Sequence, residues 1–471
     1  MISISRGIAV YNSLPLWMQG WMGAVIAPLP ASIRGHRKVH ALATKISESS
    51  NLMALESLQT ERLRAIIQHA SVHSPWFIER IKEAGVDVNG INSIEDISVL
   101  PILTKQDVRH YADELVSKQA KMFRPGRVRT SGSTGEPLEF LLDQNTRITE
   151  YASEWRCLMR HGARLGGKTA TFRGNHYKKH KNAGPHWFRH ALSGDLNFNT
   201  YSMTPEACDR YARRLKRFRP SIYRAFPSSL AHLAKNISDK MLSPDAVAFC
   251  SSEMMDEDMR EAIRQHICPT VINWYSQSEY VASAGECPEG RMHINTEFGL
   301  VEVVDQEGKS VPDGTIGRLI GTSLTNFSQP FIRYDLDDLG SISFEKCPCG
   351  LPHPILESIA GRTGDEITTT DGRRLSTVQM QHWWKHMVVK KWKLDVFAWI
   401  QIVQTGPAEV TIRVVPNEGS HPEDYQASLE EALSDLWGIK VTTTIEVLAE
   451  IPHGQKWRFS TYEGDMHQAA E

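Results

Sequence analysis

The sequence predicts an α/β protein in two units: a large one over residues 1–362, helical through residues 1–110, and a smaller α+β unit over residues 363–471. Three observations carry this. At 471 residues the chain is too long for one compact core. Between Thr169 and Trp274, short apolar runs alternate with helical patterns, as in strands and crossover helices around a largely parallel sheet. Beyond Gly361 a shorter succession of strands and helices begins, which places the boundary near Arg362 to Glu366.

The elements follow in order. Leu14 to Pro30 is apolar but is interrupted by Pro15, Gln19, Gly20, Gly23 and Pro28. It falls short of the roughly 20 apolar residues that span a bilayer and lacks a signal-peptide pattern, so no membrane span is expected. Leu58, Leu63, Ile66, Ile67 and Ala70 have helical spacing. Thr104 with Asp107 three residues on reads as a capped helix start. Helices are expected over about 147–160, 205–217, 228–237 and 256–266, with strands at 169–173, 221–224, 246–250 and 270–274. Further strands are expected at 300–304 and 316–322. In the small unit the pattern predicts a strand and turn at 367–374, a helix at 379–387, strands at 397–403 and 409–415, a helix at 422–436 and a strand at 440–447.

Composition narrows the function classes. A hydrophobic fraction of 41% is ordinary for a globular protein, and a net charge of −2 gives no case for nucleic acid or membrane as partner. Seven cysteines in so long a chain do not form a disulfide framework, which points to a reducing, cytoplasmic setting.

Gly162-Ala163-Arg164-Leu165-Gly166-Gly167-Lys168-Thr169 matches the P-loop pattern letter for letter. That chemistry needs a strand entering and a helix leaving, so that backbone N–H groups converge on phosphate. Here a helical pattern enters and an apolar strand leaves. The segment therefore reads as a helix-to-strand turn with glycines in left-handed conformations.

The better phosphate loop is Arg129-Thr130-Ser131-Gly132-Ser133-Thr134-Gly135-Glu136-Pro137, where small hydroxyl residues and glycine let N–H and O–H donors approach a polyphosphate. Trp274-Tyr275-Ser276-Gln277-Ser278-Glu279 ends an apolar strand, with an aromatic ring for a purine and a carboxylate for Mg²⁺. Phe331 to Asp338 follows a strand and offers carboxylates for a ribose; Gly361-Arg362-Thr363-Gly364-Asp365 lies at the boundary; Pro452 to Arg458 places Lys456 in a polar loop. Separately, Cys287, His293, Cys347 and Cys349 form a set suited to tetrahedral Zn²⁺. His353 is an alternative nitrogen ligand, and reduced, buried cysteines are the alternative reading.

The order of these motifs resembles the adenylate-forming superfamily, and more narrowly the branch with phenylacetate–CoA ligases and the capsular-polysaccharide and deazaflavin-cofactor adenylating enzymes. The resemblance covers nearly the whole chain, including His69 to Phe77 and Leu100 to Lys105. It implies a large adenylation domain with mixed sheets and flanking helices, and a mobile C-terminal lid. It implies that Ser131, Gly132, Ser133, Thr134 and Gly135 hold the β- and γ-phosphates, and that Ser252 and Glu253, after Ser251, run along the adenine. Tyr275 stacks on the adenine, with Ser278 in the same motif; Glu279 holds Mg²⁺ and Asp338 the ribose. Arg362 lies near ribose and phosphate, Asp365 is the hinge, and Lys456 is the catalytic lysine. Three departures stand out: Leu138 where many members have lysine, Ser276 in place of glycine, and Leu336-Asp337-Asp338 where relatives often have Thr-Gly-Asp.

The implied activity is ATP- and Mg²⁺-dependent activation of a small carboxylate as acyl-AMP, releasing pyrophosphate, with transfer to an amine, a thiol (CoA or carrier protein) or a hydroxyl. The alternatives are a nucleotidyltransferase that leaves AMP on its substrate and a nucleotide- or nucleic-acid-binding protein without ligase activity. Basic clusters at Arg210 to Arg219 and Arg173 to Lys181 motivate the latter, though solvated faces explain such clusters more simply. The acyl pocket is expected near Arg173 to Tyr177, Ala225 to Ser228 and Ala282 to Gly285, with polar residues that suit a substrate more polar than phenylacetate.

Overall fold

The structure is a computed structural model. It describes residues 41–42, 44, 52–91, 93–130, 138–173, 187–190, 194–200, 203–238, 241–360, 367–369, 374–375, 397–416, 421–437, 440–448 and 459–460. The apolar segment Leu14 to Pro30 and the expected helix at 379–387 lie outside them, as does the proposed boundary at 362–366. Among the described residues, no helix is long and apolar enough to cross a membrane.

The chain enters through helices α1 (Leu52–His73) and α2 (Pro75–Glu83). Of the helically spaced set on α1, Leu63, Ile66, Ile67 and Ala70 are fully buried and Leu58 is half-buried. Pro75 in the first turn of α2 gives up an N–H that a helix start leaves unpaired anyway. α3 (Lys105–His110) opens with the expected capping box: the Asp107 N–H donates to Thr104 Oγ1 at 3.1 Å and the Thr104 N–H to Asp107 Oδ2 at 2.9 Å. Arg333 fastens this helical part to the sheet. Its Nη1 donates to the carbonyls of Ser98 and Leu100, at 2.8 and 2.6 Å, and its Nη2 pairs with Glu302 at 3.1 Å.

A hairpin, β1 (Gly126–Arg129) and β2 (Glu139–Leu142), precedes α4 (Gln144–Arg160). Then come β3 (Thr169–Phe172), β4 (Trp187–Arg189), β5 (Leu196–Phe198), α5 (Pro205–Phe218), β6 (Ile222–Ala225) and α6 (Pro227–Lys235). β7 (Val247–Ser251), α7 (Glu257–His266), β8 (Thr270–Ser276), β9 (Ser283–Glu286) and β10 (Met292–Ile294) follow. The unit closes with β11 (Gly299–Val304), β12 (Gly317–Ser323), β13 (Tyr334–Ser343) and β14 (Ile355–Ala360).

These strands form one 12-stranded sheet in the order β11-β12-β13-β14-β10-β9-β8-β7-β6-β3-β5-β4. The four strands expected between Thr169 and Trp274 run parallel, and the sheet as a whole is mixed, both as expected. The parallel run is β5-β3-β6-β7-β8, joined through α5, α6 and α7; every other pairing is antiparallel. The reason is local: beyond β8 the connections are too short for crossover helices, so the chain returns mainly through turns. The Phe331 to Asp338 segment follows β12 as expected, and its residues from Tyr334 on open β13.

Side-chain alternation divides the parallel strands between two layers. Phe172, Phe198 and Tyr223 pack with Tyr211 of α5, Leu230 of α6 and Ile263 of α7. Ile222, Val247, Phe249, Ile272 and Trp274 pack against Ala152, Trp155 and Leu158 of α4. Because Ile222 faces α4 and Tyr223 does not, Arg224 turns back toward α4, and this placement matters below.

In the C-terminal part, β15 (Ile367–Thr368) pairs with β16 (Arg374–Leu375). β17 (Phe397–Gly406), β18 (Glu409–Pro416), β19 (Thr442–Val447) and β20 (Phe459–Ser460) form a second sheet, in the order β19-β18-β17-β20. α8 (Gln426–Trp437) buries Leu429, Leu433, Leu436 and Trp437. It is tied to the sheet where Gln426 Nε2 donates to the Thr443 carbonyl at 2.9 Å.

Candidate active site

Open α/β sheets bind ligands beyond the carboxyl ends of their parallel strands. The described candidate residues lie at or just beyond those ends and on β13, four places along the sheet from β8. Ser252 follows β7 directly and has φ 74°, a left-handed conformation costly for a residue with a Cβ. Glu253 accepts from Ser228 at the start of α6, from Oγ at 2.6 Å and from N at 3.3 Å. That bond satisfies an N–H that a helix start leaves unpaired.

Tyr275 lies in the last turn of residues of β8, and its Oη donates to Asp338 Oδ2 of β13 at 2.7 Å. Two motifs separated by 63 positions therefore meet. Burial, then the neighbouring Asp338, raises the Tyr275 pKa well above the ordinary phenol value, so the hydroxyl stays a donor. Glu279, on the turn after β8, accepts from Tyr334 Oη at 3.2 Å, and Ser278 beside it is exposed. Asp337, where relatives often have glycine, has φ 60°. Aspartate tolerates that region better than most residues, so the departure preserves the backbone turn.

Ser131, Gly132, Ser133, Thr134, Gly135, Arg362, Asp365 and Lys456 lie outside the described residues. The flanks of the Ser/Thr/Gly segment are described. The Thr130 N–H donates to the Leu138 carbonyl and the Leu138 N–H to Thr130 Oγ1, both at 2.9 Å, so the segment connects two paired strands. Leu138, the residue in place of lysine, is buried in the core and offers no charge to the site.

The apparent P-loop has the geometry expected of a helix-to-strand turn. α4 enters and β3 leaves, with Gly162 and Gly166 at φ 83° and 81°. Lys168 Nζ donates to the Phe218 carbonyl at 3.2 Å and sits over the Phe218 ring.

Cys287, His293, Cys347 and Cys349 come together with their ligand atoms within 4.8 Å of one another. Cys287 and Cys347 sulfurs are 3.8 Å apart, and Cys349 Sγ lies 3.4 Å from His293 Nε2. A tetrahedral zinc site with ordinary bond lengths has edges of about 3.8 Å between sulfurs and about 3.6 Å between sulfur and nitrogen. His293 Nδ1 is bonded to the His353 carbonyl at 2.9 Å, which directs Nε2 toward the cysteines. Burial lowers the His293 pKa to about 4, leaving the neutral imidazole that ligates metals. The nitrogen in the cluster is thus that of His293. His353 is a buttress: its own Nε2 is engaged by Glu297 at 3.2 Å and Arg156 at 3.1 Å.

Sequence reasoning missed two side-chain groupings, although Arg173 of the second lies in an expected pocket segment. One is the buried network under that cluster, in which Glu297 accepts from Arg156 at 2.9 Å, Ser153 Oγ at 2.9 Å and His353. The other joins Glu150, Glu154, Arg173 and Arg224 near Tyr280. Glu150 and Glu154 are one helical turn apart on a stretch already read as helical, which was the available signal; their partners come from distant strands. Of the expected pocket segments, Ser283 to Gly285 is buried in strand packing, and a Cβ at Gly285 would press on Trp274 at 2.8 Å.

Comparison with solved structures identifies the fold. A 2-hydroxyisobutyryl-CoA ligase in complex with 2-HIB-AMP and CoA, in the thioesterification state, aligns over 88% of this chain and 91% of its own, with a TM-score of 0.56 and 20% identity. The same ligase in the postadenylation state gives a TM-score of 0.52 at 18% identity, over 87% of this chain and 90% of its own. The chain therefore shares the fold of this acyl-CoA ligase. No family model matches the chain. Among curated proteins, a phenylacetate-coenzyme A ligase of Thermus thermophilus is 29% identical over 329 residues, 66% of this chain and 71% of its own. Protein CapK of Staphylococcus aureus is 23% identical over 467 residues, 96% of this chain and 98% of its own. The chain is thus similar in sequence to phenylacetate-coenzyme A ligases and to CapK.

Proposed function

We propose that the chain activates a small carboxylate on ATP-Mg²⁺ and passes the acyl group to a thiol, with CoA the first acceptor to test and a carrier protein, amine or hydroxyl the alternatives. The observation that carries this reading is the Tyr275–Asp338 hydrogen bond at 2.7 Å. It brings a ring suited to adenine beside a carboxylate suited to ribose, at the mouth of the parallel strands. Ser252 and Glu253 would run along the adenine edge, with Ser278 beside them. Ser131, Gly132, Ser133, Thr134 and Gly135 would hold the β- and γ-phosphates. In this reading residues 1–362 hold ATP and acid, and residues 363–471 close over them about Asp365.

A carboxylate oxygen attacks the α-phosphorus; the bond to the bridging oxygen breaks and pyrophosphate leaves with the electron pair. Positioning and charge neutralisation supply the catalysis. Mg²⁺, when bound, offsets phosphate charge, and Glu279 offers the hard oxygen donor that such an ion takes. Arg362 and Lys456 would meet the charge developing on the phosphate oxygens. The acceptor then attacks the acyl carbon and AMP leaves. Cys287, His293, Cys347 and Cys349 would hold a structural Zn²⁺; all four positions of a tetrahedron are filled by protein, as in closed structural sites.

Pyrophosphate exchange into ATP with a panel of acids tests the activity. Acid-dependent exchange, followed by AMP and thioester on adding CoA, is the expected result. A stable adenylylated product with no AMP released on adding any acceptor would replace the ligase by a nucleotidyltransferase.

A further inference from the structure

Three parallel strands end in side chains that the adenylation chemistry does not use. Arg173 follows β3, Arg224 lies in β6 and Ser251 ends β7. Arg173 Nη2 donates to Ser251 Oγ at 2.7 Å, and that hydroxyl lies 3.4 Å from Ser252 Oγ. Arg224 Nη1 pairs with Glu154 Oε2 at 2.5 Å, and its guanidinium carbon lies 5.2 Å from the Tyr151 ring and 5.1 Å from the Phe249 ring.

Two donors of this group are left over. Arg173 Nε and Arg224 Nη2 are buried and have no hydrogen-bond acceptor among the described residues. An unmet buried donor is costly, and on a charged group more so, so such donors usually serve a ligand or water. The charge balance has the same sign. Arg224 is paired directly with Glu154, whereas among the described residues the acceptor bonded to Arg173 is a neutral hydroxyl. The remaining acid, Glu150, is pushed up to about 8 by burial and by Glu154 one turn away, so near neutral pH it offers Arg173 little negative charge. Burial, then Arg224 alongside, lowers the Arg173 pKa against the pull of Glu154 and Glu150.

We infer that Arg173 and Arg224 select a carboxylic acid carrying a second anionic group, the simplest case being a dicarboxylate whose far carboxylate bridges the two guanidiniums. The inference rests on the adenylating reading, because Ser251 links these donors to the stretch placed along the nucleotide. A substrate with its reacting carboxylate at the nucleotide then points its other end to Arg173. A plain apolar acid would leave both guanidiniums desolvated and unmet, which is how a polar site rejects an isostere.

The experiment compares pyrophosphate exchange for matched acids, such as butyrate with succinate and benzoate with phthalate, in the wild type, Arg173→Gln and Arg173→Lys. Calorimetric binding of the same acids without ATP runs beside it. The wild type should favour a diacid over its monoacid. Arg173→Gln should lower that preference about 10²-fold, the worth of one charge-assisted pair, and Arg173→Lys less. Arg173→Lys keeps the charge and serves as the folding control. Preference for monoacids in the wild type, or an unchanged acid profile in both variants, overturns the inference and leaves the adenylating reading standing. If no acid supports exchange, that reading fails, and calorimetry decides the inference. Diacid binding lost in Arg173→Gln sustains it; absence of diacid binding to the wild type overturns it.

Discussion

Replacing Glu297 by alanine is the sharpest stability test, because its carboxylate has three described partners and is almost fully buried. It accepts from Arg156 at 2.9 Å, Ser153 at 2.9 Å and His353 at 3.2 Å. Burial works to raise its pKa, but Arg156 and His353 hold it far below the usual glutamate range. Removing it strands the Arg156 guanidinium, itself only 4% exposed. Breaking a buried pair from one side costs about 3–5 kcal/mol. Urea unfolding followed by tryptophan fluorescence should show a loss of that order. Arg156→Leu with Glu297→Ala should cost less than the two single changes added together, since no lone charge remains. The pH dependence has a definite sign. A depressed carboxyl pKa contributes stability that is present above the unfolded value of about 4.3 and is lost as pH falls through the folded pKa. The wild type should thus lose its advantage over Glu297→Ala on acidification below about pH 4. A loss under about 1 kcal/mol for Glu297→Ala, or strict additivity in the double variant, would refute the claim that this charge pair is buried and mutually dependent.

Two further predictions concern the metal cluster and the lysines. Elemental analysis of protein purified without chelator should find about one zinc per chain. Cys349→Ser should lower both zinc content and thermal stability more than it alters the chemistry of the folded remainder, and zinc-free wild type would contradict the site. Lys456→Ala should reduce acyl-adenylate formation about 10²–10³-fold with little change in ATP affinity, as expected of a contact made only in the transition state. Lys168→Ala should be nearly silent, because its ammonium is spent on the Phe218 carbonyl and ring. A crippled Lys168 variant beside a normal Lys456 variant would overturn both assignments.

Local signals in the sequence were accurate where the physics is local. The capping box at Thr104 and Asp107 and the burial of Leu63, Ile66 and Ile67 follow from spacing alone. So does the rejection of the apparent P-loop, since the order helix-then-strand can be read from periodicity. The cysteine–histidine set was also legible by residue type, yet choosing His293 over His353 needed the backbone bond that fixes one ring and the carboxylate that occupies the other. Strand direction beyond β8 was not legible. A short apolar run does not show which neighbour it pairs with, and the antiparallel half depends on register across distant turns. Arg173 falls in an expected pocket segment, but the place of Arg224 was hidden for the same reason: Arg224 meets Glu154 because residue 224 faces α4, a fact of sheet alternation and layer order rather than of nearby sequence.

The central claim is attack of the acid's oxygen on the α-phosphate of ATP. The direct measurement supplies the accepted acid labelled with ¹⁸O in its carboxylate, with ATP and CoA, and examines the nucleotide and phosphate products by mass spectrometry. One labelled oxygen should appear in AMP, with unlabelled pyrophosphate. Label in inorganic phosphate, with ADP as the nucleotide product, would mean attack on the γ-phosphate and an acyl phosphate intermediate, contradicting the account.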